Sequence, residues 1–300
     1  MGNPKLIIST AIAIGAILSA GAATAADLAA RPYTKAPITA PAAVYDWTGF
    51  YVGGNAGYGW QDDSAVTVTP ADQVAAFLIN NDPTTFTPVS PPVSFKIAGA
   101  LVGVQAGYNW QFNQRWLVGV ETDFNFSDIK GGGLSNSGVS SRPFRSIADE
   151  QLKWFGTVRA RLGLLATPSI LIYGTGGFAY GRIEQNAHFQ LARSTFPFSA
   201  GVGNDGVTCP PGFVDCYVGS SSRTAAGWTA GGGLEYAIGK NWTVKAEYLY
   251  VNLGSNVFSQ RAIAFSGTQS TLATGFSDTT FHTARAGINY KFDGPIVAKY

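Results

Sequence analysis

From Trp47 onward, apolar and polar residues alternate with a period of two, the repeat expected where successive side chains of a strand face opposite sides. Over residues 48–61 the even positions are Phe50, Val52, Gly54, Ala56, Tyr58 and Trp60, with Tyr51, Asn55, Gln61 and glycines between them. A second segment, 98–112, sets Val102, Val104, Ala106, Tyr108, Trp110 and Phe112 against Gly103, Gln105, Gly107, Asn109 and Gln111. The third, 116–127, sets Trp116, Val118, Val120, Phe124 and Phe126 against Gly119, Glu121, Asp123 and Asn125. The fourth places Leu152, Trp154, Val158, Ala160 and Leu162 opposite Lys153, Thr157, Arg159 and Arg161. Residues 170–182 are strand-like, but Gly174, Gly176 and Gly177 blur the alternation and leave the faces unassigned. Three more segments place Trp228, Leu234 and Tyr236 against Glu235, then Trp242, Val244 and Tyr248 against Lys245 and Glu247, then Ala284, Ala286, Ile288 and Tyr290 against Arg285 and Lys291.

The connections alternate in length. Residues 113–115, 166–169 and 239–241 form short turns, whereas 62–95, 129–150, 183–222 and 253–281 form long gaps. Short turns at one end and long loops at the other predict an all-β, eight-stranded antiparallel transmembrane barrel with four extracellular loops. Tryptophan placement points the same way. Trp60, Trp110, Trp116, Trp154, Trp228 and Trp242 all fall on the apolar parity near strand ends, and together with Phe292 they make two aromatic girdles.

Composition narrows the class further. Charged residues are 13% of the 300, against about 25% in a typical soluble domain. Aromatics reach 13% and glycine 37 residues, yet mean hydropathy is only +0.09. A bundle of long apolar helices would be far more hydrophobic. A net charge of +2 gives no electrostatic footprint for nucleic acid.

Residues 1–26, with Lys5, an apolar run and the small-residue end Ala23-Thr24-Ala25, predict a cleaved secretory signal peptide; an uncleaved anchor helix is the alternative. Residues 27–46, with Pro32, Pro37 and Pro41, read as a periplasmic linker, 47–292 as the barrel, and 293–300 as a C-terminal extension. The extension is too short for a peptidoglycan-gripping domain. Cys209 and Cys216 bracket Pro210-Pro211-Gly212 in a predicted outer loop and, in an exported chain, are a disulfide candidate, with free thiols the alternative.

Several stretches carry a resemblance. Trp47-Thr48-Gly49-Phe50-Tyr51-Val52-Gly53-Gly54, Gly227-Trp228-Thr229-Ala230-Gly231-Gly232-Gly233-Leu234-Glu235-Tyr236, Val244-Lys245-Ala246-Glu247-Tyr248 and Arg285-Ala286-Gly287-Ile288-Asn289-Tyr290-Lys291-Phe292 are similar to the alphaproteobacterial outer-membrane surface-antigen family. That family belongs to the opacity-like and OmpA-like eight-stranded barrels, and its members are often labelled porin-family proteins. The resemblance implies residence in the cell outer membrane and a terminal aromatic read by the insertion machinery. Family members usually stop at the Tyr-Lys-Phe triplet. Here 293–300 follow, so either Phe292 or Tyr300 takes that part.

A bore of eight strands is only wide enough for side chains to fill it. The predicted inward charges are Glu121, Asp123, Glu235 and Glu247 against Lys153, Arg159, Arg161, Lys245, Arg285 and Lys291, with Glu235 facing Lys245 across a turn centred on Lys240 as an ion pair. Such a network predicts a polar plug and a structural, surface-exposed, non-catalytic role. A low-conductance porin is the alternative, and a lipid-modifying enzyme stands further off. His188 and His282 are the histidines of the chain, and neither lies in a nucleophile or metal-ligand pattern. The runs at 131–133 and 231–233 lack the context of a phosphate loop and read as loop and packing glycines. No cofactor is expected. The expected partners are outer-membrane lipids, lipopolysaccharide and the insertion machinery, with a monomer favoured and the loop ligand left open.

Overall fold

A computed structural model describes residues 45–80, 82, 84–89, 91–137, 144–191, 214–263 and 270–292. The predicted signal peptide, the linker up to residue 44, Cys209 and the extension with Tyr300 lie outside the described residues. The elements are β1 (Gly49–Pro70), α1 (Gln73–Asn80), β2 (Val93–Gln111), β3 (Trp116–Ser137), β4 (Phe144–Thr167), β5 (Ile170–Leu191), β6 (Val214–Ala237), β7 (Trp242–Asn252), β8 (Asn256–Ala262), β9 (Thr271–Phe276) and β10 (Thr280–Lys291). Strands β1 to β7 pair in sequence order, and β10 pairs with both β7 and β1, which closes the sheet. The β8–β9 hairpin sits between β6 and β1 beyond the ends of β7 and β10.

The sheet thus has ten strands among the described residues, where the alternation predicts eight. The extra two, β8 and β9, lie within the predicted gap 253–281, where the chain breaks after β7 and again before β10. At the first, Gly254 adopts φ +73°, a left-handed conformation suited to glycine, and its N–H donates to Asn252 Oδ1 at 2.8 Å. The chain turns there and resumes pairing as β8. At the second, Thr279 N–H donates to the Gly254 carbonyl at 2.9 Å, so the two breaks hold each other.

The long gaps are also not mainly loops. The first, third, fourth, fifth and sixth strands run 22 to 24 residues, well past the predicted segments, and the glycines at 131–133 lie within β3. Bulges conceal this in the sequence, because one extra residue reverses which parity faces inward. In β1 the buried positions are odd up to Gln61 and even from Ser64, and the register shifts between them. In β4 they are even up to Leu152 and odd from Phe155, with the shift between Leu152 and Trp154. Leu152 is therefore buried and Lys153 faces out, the reverse of the sequence expectation. In β5, Leu171, Tyr173 and Ala179 are buried while Ile172 and Phe178 are exposed, so the odd positions face in. Gly174 and Gly176 fall on the outward face, where the missing side chains had removed the signal.

The interior is filled in layers. At the short-turn end, Trp47 packs on Leu117, Leu165, Leu171 and Tyr173, and its indole N–H donates to the Pro168 carbonyl at 3.0 Å. A polar layer follows. Above it lies an apolar layer that includes Ile97, Ile129, Leu152, Phe155, Ile183, Val251 and Phe281. At the far end, Ala75 and Leu78 of α1 pack with Phe144, Phe189, Tyr217 and Leu272 as a lid.

Candidate functional site

The polar layer gathers most of the predicted inward charges. Register sets Glu121 opposite Arg159 and Glu247 opposite Arg285 on adjacent strands. Arg159 contacts Glu121, and reaches Asp123 Oδ2 at 2.9 Å and Glu247 Oε1 at 3.0 Å, so one guanidinium joins β3, β4 and β7. Arg285 donates to Asp123 at 2.8 Å and, through Nε, to Glu247 at 2.7 Å. Lys245 Nζ lies 2.8 and 2.9 Å from the two Glu121 oxygens. Arg161 Nη2 donates to Glu235 at 2.7 Å and Nη1 to Tyr51 Oη at 2.8 Å, while the Tyr51 hydroxyl donates to Glu121 at 2.8 Å. All eight of these charged side chains are almost fully inaccessible.

Two of the ten predicted network members lie elsewhere. Lys153 is the residue expelled by the β4 bulge and pairs with Glu184 at 3.2 Å on the outer surface. Lys291 is buried near the short-turn end, 3.4 Å from the Thr48 carbonyl and over the Tyr45 ring. The layer is therefore four carboxylates against four cations and carries no net charge, where the sequence predicts an excess of bases. Glu235 does stand opposite Lys245, but the expected ion pair between them is replaced: Glu235 binds Arg161, Thr243 and Asn289, and Lys245 reaches across to Glu121. Across a narrow bore, the far wall is as near as the adjacent strand.

Neutral partners complete the set. Tyr173 donates to Glu247 at 2.9 Å, Thr157 to Asp123 at 2.7 Å, and an amide chain runs from Asn55 through Gln105 to Asn289. Tyr173 was hidden by the unreadable fifth segment; the others share the inward parity and were legible as polar positions without partners. The charges alternate and each carboxylate accepts from several donors, although Arg161 Nε and Arg285 Nη1 are buried without an acceptor among the described residues; paired and hydrogen-bonded ions of this kind are the ones tolerated in an interior.

A second polar cluster lies beyond the row formed by Trp60, Trp154 and Trp228. Glu150 is buried there and accepts from Thr279 Oγ1 at 2.6 Å and Ser64 Oγ at 3.4 Å. Burial pushes its carboxyl above the ordinary glutamate range, against the lowering effect of these hydroxyl donors. A group raised in the folded state adds stability that is full below its unfolded value, about 4.3, and is lost as pH climbs through the folded value. Glu150→Gln is expected to match the parent near pH 4 and to melt progressively higher than it as pH rises. A melting-temperature series in detergent tests this, and a constant offset at every pH refutes it.

On the outward face, Trp110, Trp116, Trp228, Trp242 and Phe292 are exposed, with Trp60 and Trp154 half-buried, in two rows at either end of the strand ladder. His282 is outward too. Its Nδ1 meets the Tyr248 hydroxyl, and its ring stacks on Trp60 at 5.8 Å. His188 Nδ1 lies 3.0 Å from Asp215 on the partly exposed far extension of the barrel. Among the described residues no group of three or more His, Cys, Asp or Glu is placed to hold a metal. Cys216 is buried and disulfide-bonded.

The chain matches the family described as outer membrane protein beta-barrel domain over residues 12–292. It is 35% identical over 285 residues to the 31 kDa outer-membrane immunogenic protein of Brucella melitensis biotype 1, covering 95% of this chain and 99% of that protein. To the 25 kDa outer-membrane immunogenic protein of Brucella abortus biovar 1 it is 27% identical, covering 85% of each. Among solved structures, it is similar to Ail, the attachment invasion locus protein of Yersinia pestis, with 15% identity, a TM-score of 0.28, and coverage of 79% of this chain and 99% of that one.

Proposed function

The chain belongs to the outer membrane protein beta-barrel family, and from that premise we propose that it is a closed structural and surface protein of the outer membrane, with neither catalysis nor a standing pore. The single observation that carries this reading is the filled interior. Trp47, the balanced ion layer, the apolar layer and the α1 lid lie in series along the bore and fill it with buried side chains at each level. We read β1 to β7 and β10 as the eight membrane-crossing strands, with β8 and β9 standing outside. The short turns then face the periplasm and the long extensions face out, as in outer-membrane barrels generally.

The two aromatic rows support this placement, because Trp and Tyr favour membrane interfaces. Surface exposure of the far end agrees with the immunogenic relatives. Residues 1–26 act in this reading as the export signal, and Phe292, whose N–H donates to the Phe50 carbonyl at 2.9 Å, is the aromatic offered to the insertion machinery. Lipids and lipopolysaccharide are the expected surroundings of a monomer. The test is a planar-bilayer recording of refolded protein whose unheated gel band has shifted from the boiled one. A silent bilayer is expected. Discrete openings would replace this reading with that of a low-conductance porin.

A further inference from the structure

At and just beyond the outer aromatic row, the outward lysines and arginine gather on one side only, interleaved there with Asp128, Asp149 and Glu184. Lys130 on β3, Lys153 on β4 and Arg182 on β5 stand on three consecutive strands, staggered along the ladder: Lys130 is opposite Gln151, Lys153 is the bulge residue beside Leu152, and Arg182 is opposite Trp154. Lys96 on β2 is exposed nearby. On the rest of the circumference at this level, the described residues include Asp63, Thr224, Asn252 and Asp278 and no outward Lys or Arg; Arg223 is bound to the Gly254 and Ser255 carbonyls.

An aromatic panel adjoins the cations, level with Arg182 and below Lys130 and Lys153. Trp154 contacts Phe124 at 5.4 Å and Tyr180 at 6.2 Å, and Phe126 is exposed beside them. The arrangement is therefore two-tiered, with an apolar surface at acyl-chain depth and positive charge at headgroup depth. Neighbouring strands are about 4.8 Å apart, so Lys130 and Arg182 are about 10 Å apart across the strands, before their stagger along them is added. That width exceeds what one phosphate can neutralise and suits a disaccharide headgroup with a phosphate at each end.

We propose that Lys130, Lys153 and Arg182 form a docking surface for the doubly phosphorylated glucosamine headgroup of lipopolysaccharide, with its acyl chains against Trp154, Phe126 and Tyr180. The proposal rests on the outward orientation given above. Lys130 and Lys153 each hold a carboxylate, Asp128 at 2.9 Å and Glu184 at 3.2 Å. Both pairs are solvent-exposed, and such pairs are weak enough to yield to a phosphate. Arg182 supplies the planar fork that binds phosphate through two parallel hydrogen bonds. The bulge acquires a purpose as well, since without it Lys153 would not face outward.

The test measures binding of doubly phosphorylated lipid A, its monophosphorylated form and phosphatidylglycerol to the refolded full chain in detergent. The parent is expected to bind the doubly phosphorylated lipid at least tenfold more tightly than either other lipid. K130Q/K153Q/R182Q is expected to lose that preference with its unheated gel band intact. If the triple variant fails to show that band, R182Q and R182K decide alone, with full loss of the preference for the first and partial loss for the second, which keeps the charge but not the fork. Equal binding of all three lipids by the parent, or a preference unchanged in the variants, overturns the proposal. Either result leaves the closed-barrel reading standing, because that one is judged by conductance.

Discussion

Arg159→Ala is expected to lower the unfolding free energy of the barrel by about 3–5 kcal/mol, the range for removing one partner of a buried ion pair. The magnitude follows from what is left behind. Glu121, Asp123 and Glu247 each lose a donor, and the buried layer falls from four acids against four bases to four against three. Adding Glu121→Gln removes one of the stranded charges and is expected to restore part of the loss, with a coupling above about 1 kcal/mol as for other contacting network residues. Urea unfolding in detergent micelles measures both. A loss below about 0.5 kcal/mol for the single variant would mean that Arg159 does not hold this layer. Arg159→Ala is not expected to conduct, because Trp47 and the apolar layer lie on either side of it.

What the sequence revealed depended on whether the alternation ran unbroken. Between the aromatic rows it does, so the lipid face, the short turns and seven of the eight strands that close on one another through β10 and β1 were legible, as were all eight members of the ion layer. Beyond Gln61 and Leu152 the bulges reverse the parity, and apolar residues such as Val66, Ala148 and Leu152 then look misplaced or loop-like although they line the interior. The pairing partners inside the bore were the least legible. Cross-strand register predicts neighbours along the wall, as with Glu235 and Lys245, but a side chain as long as arginine or lysine can reach the opposite wall, and no period in the sequence encodes that choice. The α1 lid escaped notice for a simpler reason: eight residues are too few to establish a helical repeat against a strand background.

Phe155→Ala and Phe281→Ala are each expected to cost about 3–5 kcal/mol, as large-to-small changes at fully buried aromatic sites do. Their rings meet edge to face at 5.2 Å in the middle of the apolar layer, and neither is solvent-accessible. Because they share one contact, the double variant should cost less than the two losses added together. Their conductance carries the functional consequence. Barriers in series block independently, so the double Phe variant with its ion layer intact should remain as silent as the parent. Opening requires every layer to fail together: even the double Phe variant combined with Arg159→Ala is expected to stay silent while Trp47 and the α1 lid close the two ends. Currents from Arg159→Ala alone would mean that neither Trp47, the apolar layer nor the α1 lid is a barrier, and the ion layer would then be a gate instead of a brace.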